Sequence, residues 1–361
     1  MMMHVIKIFR ARPGGEATTT IRTSLLSRMP GYAVLLYSLV GCQYFEDVST
    51  LEVRTITITM VAKSETNPVF MSAKLGAEAA AKDLSEKYSK IDVVIDWRTP
   101  LLEDPNGQAQ RILAAVEEGT DAILVACSSE QILQAAIDKA VERGVPVMTF
   151  DSDAPNSKRF AYYGADDIEL GESVMDELAE LMDGKGKVAI LAGSMNAPNL
   201  QQRVEGVKSA AFRYPWIEIV GVFNHEETAR QAADEVLRVN NAYPEISGWA
   251  MIGGWALFND TLIDRIDPEK LKIVAVDALP EQLPYVEKGI VPVLLGQPTF
   301  KWGKESVEKI VDKIHFDKDV PVINKMKLIR VSRANLGGWS RQIKAWGYEG
   351  VPDRYITYVA D

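Results

Sequence analysis

Histidine and cysteine are scarce: His4, His225 and His315 with Cys42 and Cys127 are the whole supply in 361 residues. With so few imidazoles and no Cys-x-x-Cys, a structural zinc site and a disulfide-stapled scaffold are excluded, and no metal or other cofactor is expected. Basic residues are also in the minority. Forty Lys plus Arg face fifty Asp plus Glu, a net charge of -10, so there is no general attraction to nucleic acid or anionic membrane, and no local basic patch supplies one. Catalytic signatures are missing too. The chain has no Gly-x-Ser-x-Gly elbow, no His-Glu-x-x-His and no phosphate-binding loop, and Asp183-Gly-Lys-Gly186 reads as a turn that ends a helix. Asp151 and Asp153 could pair as acid and base, but at a strand end their side chains are expected to diverge. The chain is therefore read as a binder, not an enzyme. What it does have is 47% hydrophobic and 25% charged residues, enough for a large core and, at roughly 150 residues per domain, two domains.

The first fifty-odd residues differ from the rest. Arg10, Arg12, Arg22 and Arg28 precede an uncharged apolar run from Gly31 to Gly41. A membrane-spanning helix needs about 20 such residues, so the run fits the apolar core of an export signal instead. It ends in Leu39-Val-Gly-Cys42, which looks like a bacterial lipobox. The expectation is a leader over 1–41, lipidation at Cys42, a tether over 42–53, and a periplasmic or cell-envelope location.

From Arg54 onward, short β-branched runs alternate with helical patterns. Strands are expected at 55–62, 91–96, 121–126, 145–150, 187–192, 217–222, 248–252, 271–276 and 292–295. Helices are expected between them, including one over Ala256–Ile263. Near-continuous apolar strands each followed by a helix specify parallel sheets covered on both faces. The strands are too many for one open sheet, so the fold class is α/β with two doubly wound parallel-sheet lobes. Ligands of such sheets sit beyond the carboxyl ends of the strands. The loops there carry Asn67 and Phe70, Asp151 and Asp153, Arg203, Trp255, Asp277 and Gln297, with Trp97, Arg98 and Glu226 as second-tier candidates. Side chains with two hydrogen-bonding atoms suit vicinal hydroxyls, and aromatic rings suit the C–H face of a sugar. The pattern reads as a monosaccharide or polyol site. Each residue also has a plainer reading: Asn67, Asp151 and Asp277 as helix caps, Arg203 as a partner of Glu205, Phe70 and Trp255 as core. Cys127, at another strand end without a basic neighbour, reads as a buried thiol.

Arg54 to about Asn335 resembles the periplasmic sugar-binding proteins of the ribose-binding type, which share their fold with the effector domains of lactose-repressor-like regulators. The pieces that carry the resemblance are Asn67-Pro-Val-Phe70, Phe150-Asp-Ser-Asp-Ala-Pro155, Gln202-Arg-Val-Glu-Gly206, Val274-Ala-Val-Asp277 and Leu295-Gly-Gln297. It implies a three-stranded hinge near Ala165, Gln297 and Asn324. The N-terminal lobe would be 54–165 plus 298–324, the C-terminal lobe 166–297 plus 325–336, and 337–361 an extension. It also implies that Asn67, Phe70, Asp151, Arg203, Asp277 and Gln297 face the ligand, and that a monomer delivers it to a membrane ABC permease. Two places depart from the ribose pattern: Ser152-Asp153 where an Arg commonly follows the first cleft aspartate, and Gly253-Gly254-Trp255 where an Asn-Asp pair is usual. The Asp-Ser-Asp run also resembles autoinducer-2 receptors, so a sensory receptor, including one that docks to a chemoreceptor, is the alternative. A transcriptional regulator ranks lowest, since residues 1–53 hold no pair of amphipathic helices for DNA.

Overall fold

The computed structural model describes residues 53–359; the expected leader and Cys42 lie outside the described residues. Two six-stranded sheets organise the chain. The first lobe opens with β1 (Arg54–Val61), α1 (Pro68–Lys87), β2 (Ile91–Trp97), α2 (Pro105–Glu118), β3 (Ala122–Val125), α3 (Glu130–Glu142), β4 (Val147–Phe150) and β5 (Ala161–Gly164). The second contains α4 (Asp167–Leu181), β6 (Lys185–Ala192), α5 (Pro198–Ala211), β7 (Trp216–Asn224), α6 (Ala229–Ala242), β8 (Gly248–Met251), β9 (Lys272–Val276), α7 (Leu283–Lys288) and β10 (Val293–Gly296). The chain then returns through α8 (Phe300–Ile314) and β11 (Ile323–Lys325) before β12 (Ile329–Val331), α9 (Leu336–Ala345) and α10 (Asp353–Ile356).

Strand order is β11-β5-β4-β3-β1-β2 in one sheet and β12-β10-β9-β8-β6-β7 in the other. Every pairing is parallel except β10 with β12. Central strands such as β3, β4, β8 and β10 are buried along their whole length, because helices cover both faces. The chain passes between sheets after β5, after β10 and again between β11 and β12.

Local chemistry sets the helix starts. Asp104, Asp166 and Thr228 each accept a hydrogen bond from the first turn of α2, α4 and α6. The expected helix at Ala256–Ile263 does not form. Only a 3-10 turn, Trp255–Leu257, follows Gly253-Gly254, and the Asn259 side chain accepts from the Thr261 N–H, offering the backbone a turn in place of a helix. The strands β5, β11 and β12 are additions to the sequence reading. Each has only three or four residues, too few to show a period.

Candidate ligand-binding cleft

Two aspartates end equivalent strands, one per sheet. The Asp151 N–H donates to Tyr163 O at 3.1 Å and the Asp277 N–H to Leu295 O at 3.0 Å, each bridging to the next strand of its sheet. Both then turn with positive φ, 57° and 70°. Left-handed backbone costs an L residue of order 1 kcal/mol or more and is retained where the surroundings enforce it. The turn aims both carboxylates out of the sheet ends into the gap between lobes.

There they meet a polar network. Gln297 Nε2 donates to Asp277 Oδ1 at 2.9 Å, and the Gly254 N–H to Asp277 Oδ2 at 3.2 Å. Arg203, on α5, donates to Gln297 Oε1 (3.2 Å), to Ile252 O (3.2 Å) and to Asp167 Oδ1 (2.7 Å), and lies 3.9 Å from Asp151. Its partner is therefore Asp167 and not Glu205. Asn199 Nδ2, from the first turn of α5, donates to Asp151 Oδ1 at 3.4 Å, and Lys63 donates to Asn199 Oδ1 at 3.3 Å. Lys63 follows β1, so Lys63 and Asp151 of the first lobe bond to Asn199 of the second across the gap.

Burial shapes the electrostatics. Asp167 is pushed up to about 6 by burial, with the Arg203 guanidinium opposing. Burial likewise raises Asp277 and Glu103, the latter with Glu227 adding to the shift. At Lys63 burial works against the charge, but Asp151, Glu227 and Glu103 outweigh it and hold the ammonium above its ordinary range.

Beside the network lies a cavity of about 360 Å³ open between the lobes. Asn67, Pro68 and Leu102 line it from one side, Trp255, Phe258, Glu227 and Glu281 from the other. The Trp255 indole N–H is buried and has no hydrogen-bond partner among the described residues. Asn67 also caps α1, its Oδ1 accepting the Val69 N–H at 3.2 Å, so the plainer reading of that residue holds alongside its place in the cavity.

Not every expected residue reaches this place. Phe70 is packed between Phe150 and Trp302 and is 2% exposed, a core residue beneath the cleft floor. Asp153 turns the other way and clasps Arg159: strand alternation would place residues 151 and 153 on one face, but β4 ends at Phe150 and the left-handed turn at Asp151 breaks the alternation. Trp97 donates to Glu65 on the first lobe, Arg98 pairs with Asp96 and Glu118, and Glu226 accepts from Gln231 at the start of α6. Lys63, Asn199 and Asp167 were missed by sequence reading. Lys63 carried the same strand-end signal as Asp151; Asn199 and Asp167 sit at helix starts, where polar residues are routine. Cys127 is fully buried, and burial pushes its thiol up. Among the described residues no cluster of His, Cys, Asp and Glu is suited to a metal ion.

Residues 58–318 match the family model described as periplasmic binding protein domain. The chain belongs to that family. Among similar proteins are the ribose import binding protein of Bacillus subtilis, 27% identical over 44% of this chain and 49% of its own length, and the xylitol-binding protein of Mycolicibacterium smegmatis, 23% identical over 61% and 62%. The chain therefore spans about half to three-fifths of the lengths of these relatives. A solved glucose-galactose binding protein from Geobacillus stearothermophilus superposes with a TM-score of 0.70 at 25% identity, over 77% of this chain and 98% of its own. A carbohydrate transporter solute-binding protein from Agrobacterium radiobacter, solved with D-arabinose, gives 0.73 at 22% identity, over 81% and 98%.

Proposed function

We propose that this protein captures a monosaccharide or polyol between its two lobes, without chemical turnover, and passes it to an ABC-type permease. The observation that carries the reading is the reach of Asp151 and Lys63 across the cleft to Arg203 and Asn199. Such contacts exist only while the lobes are together, so a ligand that completes them favours the closed state. The relatives' ribose, xylitol and arabinose ligands support the substrate class. In this reading Asn67, Asp151, Arg203, Asp277 and Gln297 bond ligand hydroxyls and Trp255 supplies the flat wall, while Phe70 and Asp153 shape the site from behind. The lobes are 54–165 plus 298–324 and 166–297 plus 325–336.

Charge narrows the class further. Lys63 and Arg203 are outnumbered in the cleft by Asp151, Asp167, Asp277, Glu103 and Glu227. That excess favours a neutral ligand over a sugar acid. A thermal-shift screen of pentoses, hexoses, pentitols, inositols and uronic acids tests this. A neutral ligand at 100 times its dissociation constant adds about 2.7 kcal/mol, read as a rise in melting temperature. Response to uronic acids alone, or to none of the panel, counts against the reading.

Cell-envelope placement through Cys42 belongs to the same proposal. Among the described residues no helix is long and apolar enough to cross a membrane. Expressed in a two-membrane bacterium, Cys42→Ala moves the protein from the membrane fraction to the soluble periplasm; a wild-type chain found in the cytoplasm with its N-terminus intact contradicts the assignment.

A further inference from the structure

The segment after β12 lies on the hinge side of the cleft and touches both lobes. On the second lobe, Trp339 Nε1 donates to Ala278 O at 2.7 Å, and Tyr355 Oη to Glu287 Oε2 at 2.8 Å. Ala278 directly follows the cleft residue Asp277. Toward the first lobe, the Trp346 ring lies flat on Phe300 of α8, with centroids 5.5 Å apart and planes within 1°. Gly347 faces Leu75 of α1. The Tyr348 hydroxyl is 3.0 Å from Thr299 Oγ1, two residues beyond Gln297 in the second crossing. Trp339 and Trp346 meet edge to face at 5.7 Å, which joins the two sets of contacts.

Lobe opening changes the separation of α8 and α1 from Ala278. This segment is anchored at both ends of that separation, so opening has to shear the Trp346–Phe300 stack or the Trp339–Ala278 bond. It also holds the residues just beyond Asp277 and Gln297, through Ala278 and Thr299. We propose that residues 336–358 form a fourth connection between the lobes, in which Trp346 sets their resting separation and Trp339 and Tyr348 are positioning residues for Asp277 and Gln297.

The test reads interlobe distance in the full-length chain without added ligand. Spin labels on Leu101→Cys and Met195→Cys, exposed residues of the two lobes, are placed in a Cys42→Ala background, with buried Cys127 unlabelled. Double electron–electron resonance then measures their separation. Trp346→Ala lengthens the mean distance by more than about 2 Å and broadens it. The milder Tyr348→Phe, which deletes one hydroxyl, broadens it in the same direction. Tyr355→Phe, which loosens the same segment where it touches the second lobe alone, lowers the melting temperature and leaves the distance unchanged. Unchanged distances in both Trp346→Ala and Tyr348→Phe, or equal widening in Tyr355→Phe, overturn the proposal.

Discussion

Asp151 and Asp277 hold a backbone conformation that ordinary L residues avoid, and each does so at the position where its carboxylate enters the cleft. A helix cap needs extended backbone, as at Asp104 and Asp166, so the left-handed turn separates these two from the caps they resembled in the sequence. Asp167 offers a second residue-level test. Its folded pKa of about 6 lies above the ordinary 3.8, so the folded state holds the proton more tightly than the unfolded one. The stability from this group is therefore fully present below about pH 3.8 and lost as pH rises through about 6. In Asp167→Asn that contribution is absent. The melting temperature of wild type minus that of Asp167→Asn is expected to be larger at pH 5 than at pH 7.5; a difference that is flat, or that grows with pH, shows that burial does not govern this carboxyl.

In each lobe two helices pack directly against each other by the same device. A Cβ on Gly76 or Gly303 would collide with the backbone of α8 or α1, and one on Gly171 or Gly206 with the backbone of α5 or α4. The glycines let the axes approach closely, and the α4–α5 crossing carries Arg203 to Asp167. Gly206→Ala forces that crossing apart. Overpacking of this kind costs about 1–3 kcal/mol, so scanning calorimetry of the ligand-free protein is expected to show a melting temperature lower by roughly 2–10 °C. No change means that the crossing has slack. Elements with a full period, such as the apolar β3, β8 and β9 and the Ala-rich α1, were legible in the sequence because burial on both faces leaves an unbroken apolar run. The three-residue β11 and β12 were not, since their place comes from the partner strand. The Gly253–Ile263 stretch misled because its apolar spacing was helical while Asn259 favoured a turn. In the cleft, the rule that ligands lie beyond strand ends picked out Asp151, Asp277 and Gln297 but also Trp97 and Arg98, which the rim turns toward neighbours. It passed over Lys63, whose charge suggested an exposed side chain.

At the scale of the molecule, the two lobes are bound by contacts of unequal kinds. The hinge crossings are covalent and the segment after β12 combines stacked rings with hydrogen bonds, whereas the cleft contacts are polar and hold a surplus of carboxylates. In the proposed function a ligand whose hydroxyls satisfy those groups stabilises the closed cleft, so that capture and closure are one event. Isothermal titration of the tightest neutral sugar or polyol from the screen into wild type, Asp277→Ala and Arg203→Ala tests this most directly. Each variant loses hydrogen bonds to a charged group worth about 1.5–3 kcal/mol, so binding is expected to weaken roughly ten- to a hundredfold in both. Wild-type affinity in both variants would contradict a ligand held between the lobes.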